Sequence, residues 1–260
     1  MGVNAVLRAK RGRAMVRPMN GAIHSRGTPG SGPAPGAEIR PDFRHVRHWV
    51  FDLDNTLYDA HCGIFAQIEA RMTDYVARHT GLPRAEARAL QKALYRSHGT
   101  TLNGMMQLHG VAADDYLSFV HDIDLSGLAP DAALTAAVAR LPGRRYIFTN
   151  GCRHHAARIL ARIGMAHLFE EVWDIRTLGF TPKPQTAAYE RVVAASGLPP
   201  KEAAMFDDIP HNLPAARALG MTTVWLNTGA DFSHGAPPPP RAHIDHETDD
   251  LSRFLHAIRI

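Results

Sequence analysis

Residues 48–58 read HWVFDLDNTLY, and this segment decides the fold. Its apolar run stops abruptly at Asp52, as a buried strand does when its carboxyl end opens into a site. Asp52 and Asp54 stand two positions apart, so their side chains leave the same face for as long as strand geometry persists. Two neighbouring carboxylates repel each other, and a bound cation relieves that repulsion. Taken alone, the pair fits an acidic turn better, with Asn55 and Thr56 supplying hydrogen bonds.

Four further segments have the composition of strands, and helical patterns lie between them. Each helical pattern ends beside a glycine, the residue that most often closes a helix. Strands that alternate with helices form a parallel sheet, which predicts an α/β fold with a doubly wound, Rossmann-like core. A closing helix is predicted with Thr248 as its N-cap. The strand-like segments are residues 146–148, 171–175, 203–206 and 221–226, and the helical patterns are residues 154–163, 184–196 and 211–219.

Residues 60–128 interrupt this alternation. Phe65, Ile68, Met72 and Val76 recur at helical spacing, and no convincing strand is visible. We interpret the stretch as a helical insertion that covers the active edge of the sheet. The alternative is that its helices pack on a face of the sheet. The predicted domains are a core, residues 45–59 and 129–260, and a cap, residues 60–128.

The net charge of +4 comes from the first 44 residues. They hold eight Lys or Arg against two acidic residues, a net of +6, whereas the rest of the chain sums to −2 from 21 basic and 23 acidic side chains. Five glycines and four prolines between Gly21 and Pro41 make a composition that cannot offset the entropy of ordering. We predict a disordered basic tail over residues 1–44, with a start site at Met15 or Met19 as the alternative. Its sparse charges predict only non-specific attraction to nucleic acid.

Cysteine use and hydropathy predict a reducing compartment. Cys62 and Cys152 are too few for a disulfide framework and lack paired spacing, so we expect thiols in a cytoplasmic protein. No apolar run of about 18 residues exists, and no membrane-spanning helix is expected. The Arg-rich start lacks the apolar segment of a secretory signal, and an organellar transit peptide is the alternative. The sixteen histidines include no three-ligand set with metal spacing and are interpreted as surface or hydrogen-bonded side chains.

The other strand ends carry groups suited to phosphate or to a metal ion. The segment Thr149-Asn150-Gly151 offers a hydroxyl and backbone N–H groups at the start of a helix, which favour an anion. Asp207-Asp208 offers two carboxylates for a hard cation. Lys183, between two prolines, offers a fixed positive charge. Together with the first pair of carboxylates, these groups predict phosphoryl transfer far better than any one of them alone.

These segments resemble, in order, the four motifs of the haloacid-dehalogenase superfamily. Residues 52–56 match motif one, Thr149-Asn150 motif two, Lys183 motif three and Asp207-Asp208 motif four. The similarity spans about residues 48–228. It implies a hydrolase core with a type-one cap inserted between the first two motifs.

The resemblance also implies roles for individual residues. Asp52 would attack phosphorus and form an aspartyl phosphate. Asp54 would protonate the leaving oxygen and then take a proton from the hydrolytic water. Mg²⁺ would be held by the Asp52 carboxylate, the Asp54 main-chain carbonyl and a motif-four carboxylate. Asp208 is favoured for that position, with Asp207 as a further ligand or a support. Thr149 and Lys183 would neutralise the phosphoryl oxygens, with Asn150 and Gly151 beside them.

A further resemblance concerns the substrate. The resemblance extends to the pyrimidine 5′-nucleotidase branch, through residues 55–58, Cys62-Gly63 and the polar cap segment 97–104, in which His98, Thr100 and Thr101 are candidate substrate contacts. It implies hydrolysis of UMP or CMP. A phosphatase of phosphoglycolate or a sugar phosphate is the nearest alternative, and a dehalogenase needs neither the second aspartate nor the metal. A catalytically silent binding module has no need of the whole set.

Overall fold

A parallel six-stranded sheet forms the centre of the molecule in a computed structural model that describes residues 40–229 and 241–260. The strand order is β3-β2-β1-β4-β5-β6, and every neighbouring pair is parallel. This order, which reverses direction at β1, is that of a doubly wound α/β fold, so the predicted fold class is confirmed. The strands are β1 His48–Phe51, β2 Arg144–Phe148, β3 Glu171–Trp173, β4 Ala203–Asp207, β5 Thr222–Leu226 and β6 His246–Thr248.

Four helices, all within residues 60–128, follow β1, and no strand interrupts them. They are α1 Ile64–Thr80, α2 Arg84–His98, α3 Thr101–His109 and α4 Ala113–Val120. The remaining helices pack around the sheet: α5 Ala132–Ala139, α6 Arg153–Arg162, α7 Thr186–Ser196, α8 Leu213–Leu219 and α9 Leu251–Ala257. In the described ranges no helix has the length and apolar character needed to cross a bilayer.

Both faces of the sheet are buried, which explains why β1 reads as a continuous apolar run rather than an alternating one. Trp49 and Phe51 point to one face, where the ring of Phe51 stacks on Phe206 with centroids 4.6 Å apart. Val50 points to the other face, with Met205 beside it. A sheet covered on both sides leaves only its ends open to ligands.

The folded body begins before the predicted boundary at residue 44. Phe43 is 0% exposed, stacks on Trp49 and meets Phe254 edge-on, and its N–H donates to the carbonyl of Arg259 at 2.8 Å. The boundary was therefore wrong for residues 41–44, because one apolar anchor among polar neighbours is invisible to a composition argument. Residues 1–39 lie outside the described ranges, so disorder there stays a prediction.

The C-terminal elements also differ from expectation. Thr248 ends the short strand β6, which was not predicted because His246-Glu247-Thr248 carries no apolar signal. The N-cap of α9 is Asp250, whose carboxylate accepts from the N–H of Arg253 at 2.8 Å, so the assignment of the cap to Thr248 was wrong.

Candidate active site

The carboxyl ends of three central strands bring the motif residues together. Phe51 lies opposite Ile147 and Phe206 in the register of the sheet, so the residues after each strand emerge side by side. Asp52 stays tied to this edge through its N–H, which donates to the carbonyl of Phe206 at 2.8 Å. Thr149 follows the neighbouring strand and is 1% exposed. The site thus lies where the strand order reverses, the usual ligand position in such sheets.

The turn after β1 aims both carboxylates into one cavity. Asn55 has φ of 62°, a left-handed conformation that asparagine tolerates better than most residues, and it reverses the chain directly after Asp54. The hydroxyl of Thr56 donates to Asp52 Oδ2 at 3.2 Å. The turn chemistry that the sequence offered as an alternative is therefore present, and it serves to hold Asp52.

Lys183 forms the positive centre of the site. Its Nζ lies 2.6 Å from Asp52 Oδ1 and 2.7 Å from Asp207 Oδ2, and its side chain is 1% exposed. Burial lowers the pKa of Lys183, but the two carboxylates outweigh burial and leave the pKa above its ordinary value. The side-chain amide of Asn150 grips the backbone of Lys183: the N–H of Lys183 donates to Oδ1 at 2.8 Å, and Nδ2 donates to the carbonyl of Lys183 at 3.1 Å. Asn150 thus ties the lysine loop to the end of β2.

The two aspartates of motif four have different surroundings. Asp207 is 0% exposed and accepts from Lys183, from Asn212 Nδ2 at 2.9 Å and from the N–H of Ile209 at 2.9 Å. Asp208 Oδ2 is buried and has no hydrogen-bond partner within the described residues. Burial, Asp52 and Asp207 together raise the pKa of Asp208 well above its usual range. Asp208 thus has a carboxylate oxygen free to bind a ligand, whereas Asp207 is fully engaged.

The carboxylates of Asp52, Asp207 and Asp208 place one oxygen each within 4.8 Å of one another. Burial raises the pKa of Asp52 to about 7; Lys183 opposes that rise, and Asp207 and Asp54 add to it. A single lysine does not balance this many buried acids. The oxygen donors, their crowding and the free oxygen of Asp208 fit a hard divalent cation such as Mg²⁺.

Asp54 has partners of a different kind. Its Oδ1 lies 2.7 Å from the hydroxyl of Tyr58 and 2.8 Å from Nε2 of His155, which is 0% exposed. Burial raises the pKa of Asp54, but His155 and Tyr58 outweigh burial and leave the pKa below its ordinary value. The sequence did not predict either partner: Tyr58 belongs to a segment of the family resemblance that assigns it no role, and His155 was interpreted as one histidine among many.

A cavity of about 130 Å³ lies between the sheet edge and the inserted helices. Asp52, Asp54, Thr149, Asn150, Gly151, Lys183 and Asp208 line it from the sheet. Phe65, Met72, Gln91, Tyr95, Thr100, Thr101 and Tyr116 are among the residues that line it from α1 to α4.

Among the predicted cap contacts, Thr100 and Thr101 reach the cavity and His98 does not. The ring of His98 instead hydrogen-bonds Ser97 at 2.7 Å, next to the end of α2. Thr100 also caps α3, since its hydroxyl accepts from the N–H of Asn103 at 3.0 Å. His98 therefore lies outside the cavity in this structure, because spacing alone does not show which way a helix end turns, and its contact with substrate stays a prediction.

Comparison with known proteins agrees with this geometry. The chain is 27% identical over 192 residues to phosphate metabolism protein 8 of Saccharomyces cerevisiae, a match that covers 66% of this chain and 59% of that protein. It is 32% identical over 132 residues to a phosphoserine phosphatase of Thermus thermophilus, covering 50% of this chain and 51% of the relative. The matched regions are thus between half and three fifths of the length of these relatives.

A solved structure shares the fold. The HAD-hydrolase YfnB of Bacillus subtilis, bound to magnesium, superposes with a TM-score of 0.54 at 18% identity, covering 83% of this chain and 99% of that one. The family model for haloacid dehalogenase-like hydrolases matches residues 46–220, which include all four motif segments. This chain belongs to the haloacid dehalogenase-like hydrolase family.

Proposed function

We propose that the protein is a magnesium-dependent phosphomonoester hydrolase that forms an aspartyl phosphate on Asp52, with pyrimidine nucleoside 5′-monophosphates such as UMP and CMP as substrates. The observation that carries the reaction class is the ammonium of Lys183, held 2.6 Å from Asp52 at the base of a buried cavity. A cation fixed beside a buried carboxylate suits a site where a nucleophile must meet an anionic group. The two curated relatives named for phosphate metabolism and for phosphoserine hydrolysis support the same class.

The first step transfers the phosphoryl group to the protein. A carboxylate oxygen of Asp52 attacks phosphorus, the bond from phosphorus to the leaving oxygen breaks, and Asp54 gives its proton to that oxygen. The pKa of Asp54 is below its ordinary value in the free site, and the negative charge of an entering phosphate ester raises it toward that of a proton donor. Lys183 and the hydroxyl of Thr149 offset the charge on the phosphoryl oxygens.

The second step releases the phosphate. Asp54, now a carboxylate, takes a proton from a water molecule as the water oxygen attacks phosphorus. The bond between phosphorus and Asp52 breaks, inorganic phosphate leaves, and both carboxyl groups return to their starting states.

The residues that would hold Mg²⁺ are Asp52, Asp208 and the main-chain carbonyl of Asp54. When bound, the ion supplies positive charge that offsets the crowded carboxylates and the phosphoryl oxygens. The buried, unpartnered Oδ2 of Asp208 supports this assignment over Asp207, whose oxygens already accept hydrogen bonds from Lys183, Asn212 and Ile209.

The cap side of the cavity supports a flat, partly polar leaving group. The rings of Phe65, Tyr95 and Tyr116 line it, and such rings stack on planar groups. Gln91 and Thr100 add polar atoms among them, the usual mixture in a pocket that orients a small molecule.

A second candidate is a smaller ester, such as phosphoglycolate or a sugar phosphate, and the volume of the cavity favours it. An enclosed space near 150 Å³ holds a ligand the size of benzene. At about 130 Å³ the cavity accommodates one small group, so a whole nucleotide requires the cap to move away from the sheet.

A phosphate-release assay distinguishes these candidates. UMP, CMP, AMP, GMP, phosphoglycolate and ribose 5-phosphate are each tested with Mg²⁺ and with a chelator. We expect the highest kcat/KM for UMP or CMP and loss of turnover with the chelator. Preference for AMP or phosphoglycolate would overturn the pyrimidine assignment, undiminished turnover in the chelator would overturn the metal requirement, and no phosphate release from any ester would indicate a silent module.

A further inference from the structure

Two donors converge on one oxygen of Asp54. The hydroxyl of Tyr58 and Nε2 of His155 both lie within hydrogen-bond distance of Oδ1, at 2.7 and 2.8 Å. Tyr58 is 8% exposed and His155 is 0% exposed, so water does not compete strongly for either bond. Because Oδ1 accepts from both neighbours, the proton that Asp54 exchanges has its place on the other oxygen.

Within the described residues no hydrogen bond reaches the other oxygen, Oδ2, and the side chain of Asp54 is 15% exposed. Asp54 lines the active-site cavity, and its Oδ2 lies beside Gly151, where a Cβ atom would stand 3.7 Å away. The same Cβ would lie 3.2 Å from Thr149 Oγ1, tighter than most contacts of this kind. The absence of a side chain at Gly151 therefore keeps the approach to Oδ2 clear.

The surroundings of His155 fix its ring. His121 stacks on it with centroids 4.3 Å apart and planes inclined by 14°, and Cys152 Sγ lies 3.3 Å from Nδ1 of His121. Nδ1 of His155 is buried without a hydrogen-bond partner in the described part of the chain. The hydrogen bond from Nε2 to Asp54 Oδ1 requires a proton on Nε2, and the stacked ring holds that proton toward Asp54. The stack therefore presents a donor in one fixed direction.

We propose that Tyr58 and His155 are positioning residues that hold Asp54 by Oδ1, so that the proton passes between Asp54 Oδ2 and the substrate. The inference rests on the proposed function, because it assigns an orientation to the proton donor of that reaction. Neither residue touches the reacting atoms. Both act by fixing which oxygen of Asp54 exchanges the proton with the substrate.

The test compares two classes of phosphate ester. UMP and ribose 5-phosphate release an alkoxide that needs a proton as it leaves, whereas p-nitrophenyl phosphate releases a phenolate that is stable without one. The ratio kcat/KM reports the steps up to the first phosphoryl transfer, so it isolates the proton donation. A general loss of structure lowers this ratio for both esters, but misplacement of the proton donor lowers it for the alkyl esters alone.

Three variants and one matched control make the comparison. Tyr58→Phe removes one donor and keeps the ring, His155→Leu removes the other, and His155→Gln keeps an N–H near the position of Nε2. Tyr75→Phe is the control, because Tyr75 is also buried and its hydroxyl also donates to an aspartate, Asp115, at 2.6 Å, outside the cavity. Unfolding midpoints by circular dichroism accompany each variant, and Tyr58→Phe decides the matter if His155→Leu does not fold.

We expect kcat/KM for the alkyl esters to fall by about tenfold in Tyr58→Phe and about a hundredfold in His155→Leu, no more than the lower end of the roughly 10²–10⁴-fold that loss of the proton donor itself costs. For p-nitrophenyl phosphate we expect less than about a threefold loss in both, and His155→Gln to recover most of the alkyl activity. Equal losses on both kinds of ester in an active protein would overturn this inference and leave the proposed function standing. A wild-type protein that hydrolyses neither ester would overturn the proposed function itself.

Discussion

The floor and the cap wall of the active-site cavity are built on different principles. The floor consists of Asp52, Asp54, Thr149, Lys183 and Asp208 at the strand ends, and the cap wall consists of the cavity-lining residues of α1 to α4 and the loop before α3. On the floor, Asp52, Asp54 and Lys183 are each fixed by partners less than 3 Å away. Aromatic and aliphatic side chains dominate the cap wall. The floor is therefore preorganised for one kind of chemistry, and the cap wall sets the size and shape of what reaches it.

The largest effect should come from the floor, through Asp52→Asn. The amide has nearly the shape of the carboxylate but is a poor nucleophile, so we expect kcat to fall by at least about a thousandfold. The loss should be the same for every ester, because the nucleophile meets the phosphoryl group and not the leaving group. Steady-state kinetics with UMP and ribose 5-phosphate measure it, and near-normal turnover with either ester would remove Asp52 from its role.

The next largest effect separates the two aspartates of motif four. Asp207→Asn leaves Lys183 buried with a single partner, and breaking a buried ion pair costs about 3–5 kcal/mol in free energy of unfolding. Asp208→Asn removes a buried acid that has one unpartnered oxygen and a pKa well above its usual range, so in a chelator this variant should be as stable as the wild type or more stable.

Urea unfolding in a chelator, followed by titration with Mg²⁺, measures both variants. We expect the metal to stabilise the wild type and to have little effect on Asp208→Asn, since stabilisation follows binding to the folded state. Asp208 would lose its place as the ligand if its variant responded to Mg²⁺ as the wild type does, or if Asp207→Asn proved the more stable of the two.

The floor could be predicted from the sequence because parallel strands end at one edge. Asp52, Thr149 and Asp207 each follow or end an apolar run, and the register of the sheet places those ends side by side. No such rule links Asp54 to His155. Their contact depends on the orientation in which α6 packs against the turn after β1. The place of His155 in the sequence of the helix does not predict that orientation.

For the cap wall, the sequence predicted helices but not which side chains line the cavity. Helical periodicity indicated helices over residues 60–128, but the direction of each side chain depends on how four helices pack together. Thr100 and Thr101 reach the cavity while His98, in the same polar segment, turns away. These residues also belong to different helices, since α2 ends at His98 and Thr100 is the N-cap of α3.

A substitution on the cap wall should change substrate preference more than turnover. Phe65→Ala removes a ring that lines the cavity, and stacking with such a ring contributes about 0.5–1.5 kcal/mol. We expect KM for UMP to rise roughly two- to tenfold, with ribose 5-phosphate nearly unaffected because it has no base to stack. Phe119→Ala is the matched control, since Phe119 is also half-buried in the cap but does not line the cavity. A parallel change with both esters would mean that the ring supports the fold of the cap and does not contact a base.

The smallest effect is expected at the N-terminus of α3 in the cap wall, and it tests whether the N-cap Thr100 also takes part in substrate recognition. Thr100→Ala removes the cap of α3, which costs about 1 kcal/mol in free energy of unfolding, and it shortens a side chain that lines the cavity. Asp131→Ala is the control, because it removes the corresponding cap of α5. Asp131 Oδ1 accepts from the N–H of Leu134 at 2.9 Å, and Asp131 does not line this cavity.

Chemical denaturation should show that both variants lose a similar free energy of unfolding. KM should rise, by about twofold, only in Thr100→Ala. Thr100→Ser should restore both quantities, because serine keeps the hydroxyl. If KM rises equally in Asp131→Ala, the effect of Thr100 comes through stability, and the cap wall recognises its substrate by shape alone.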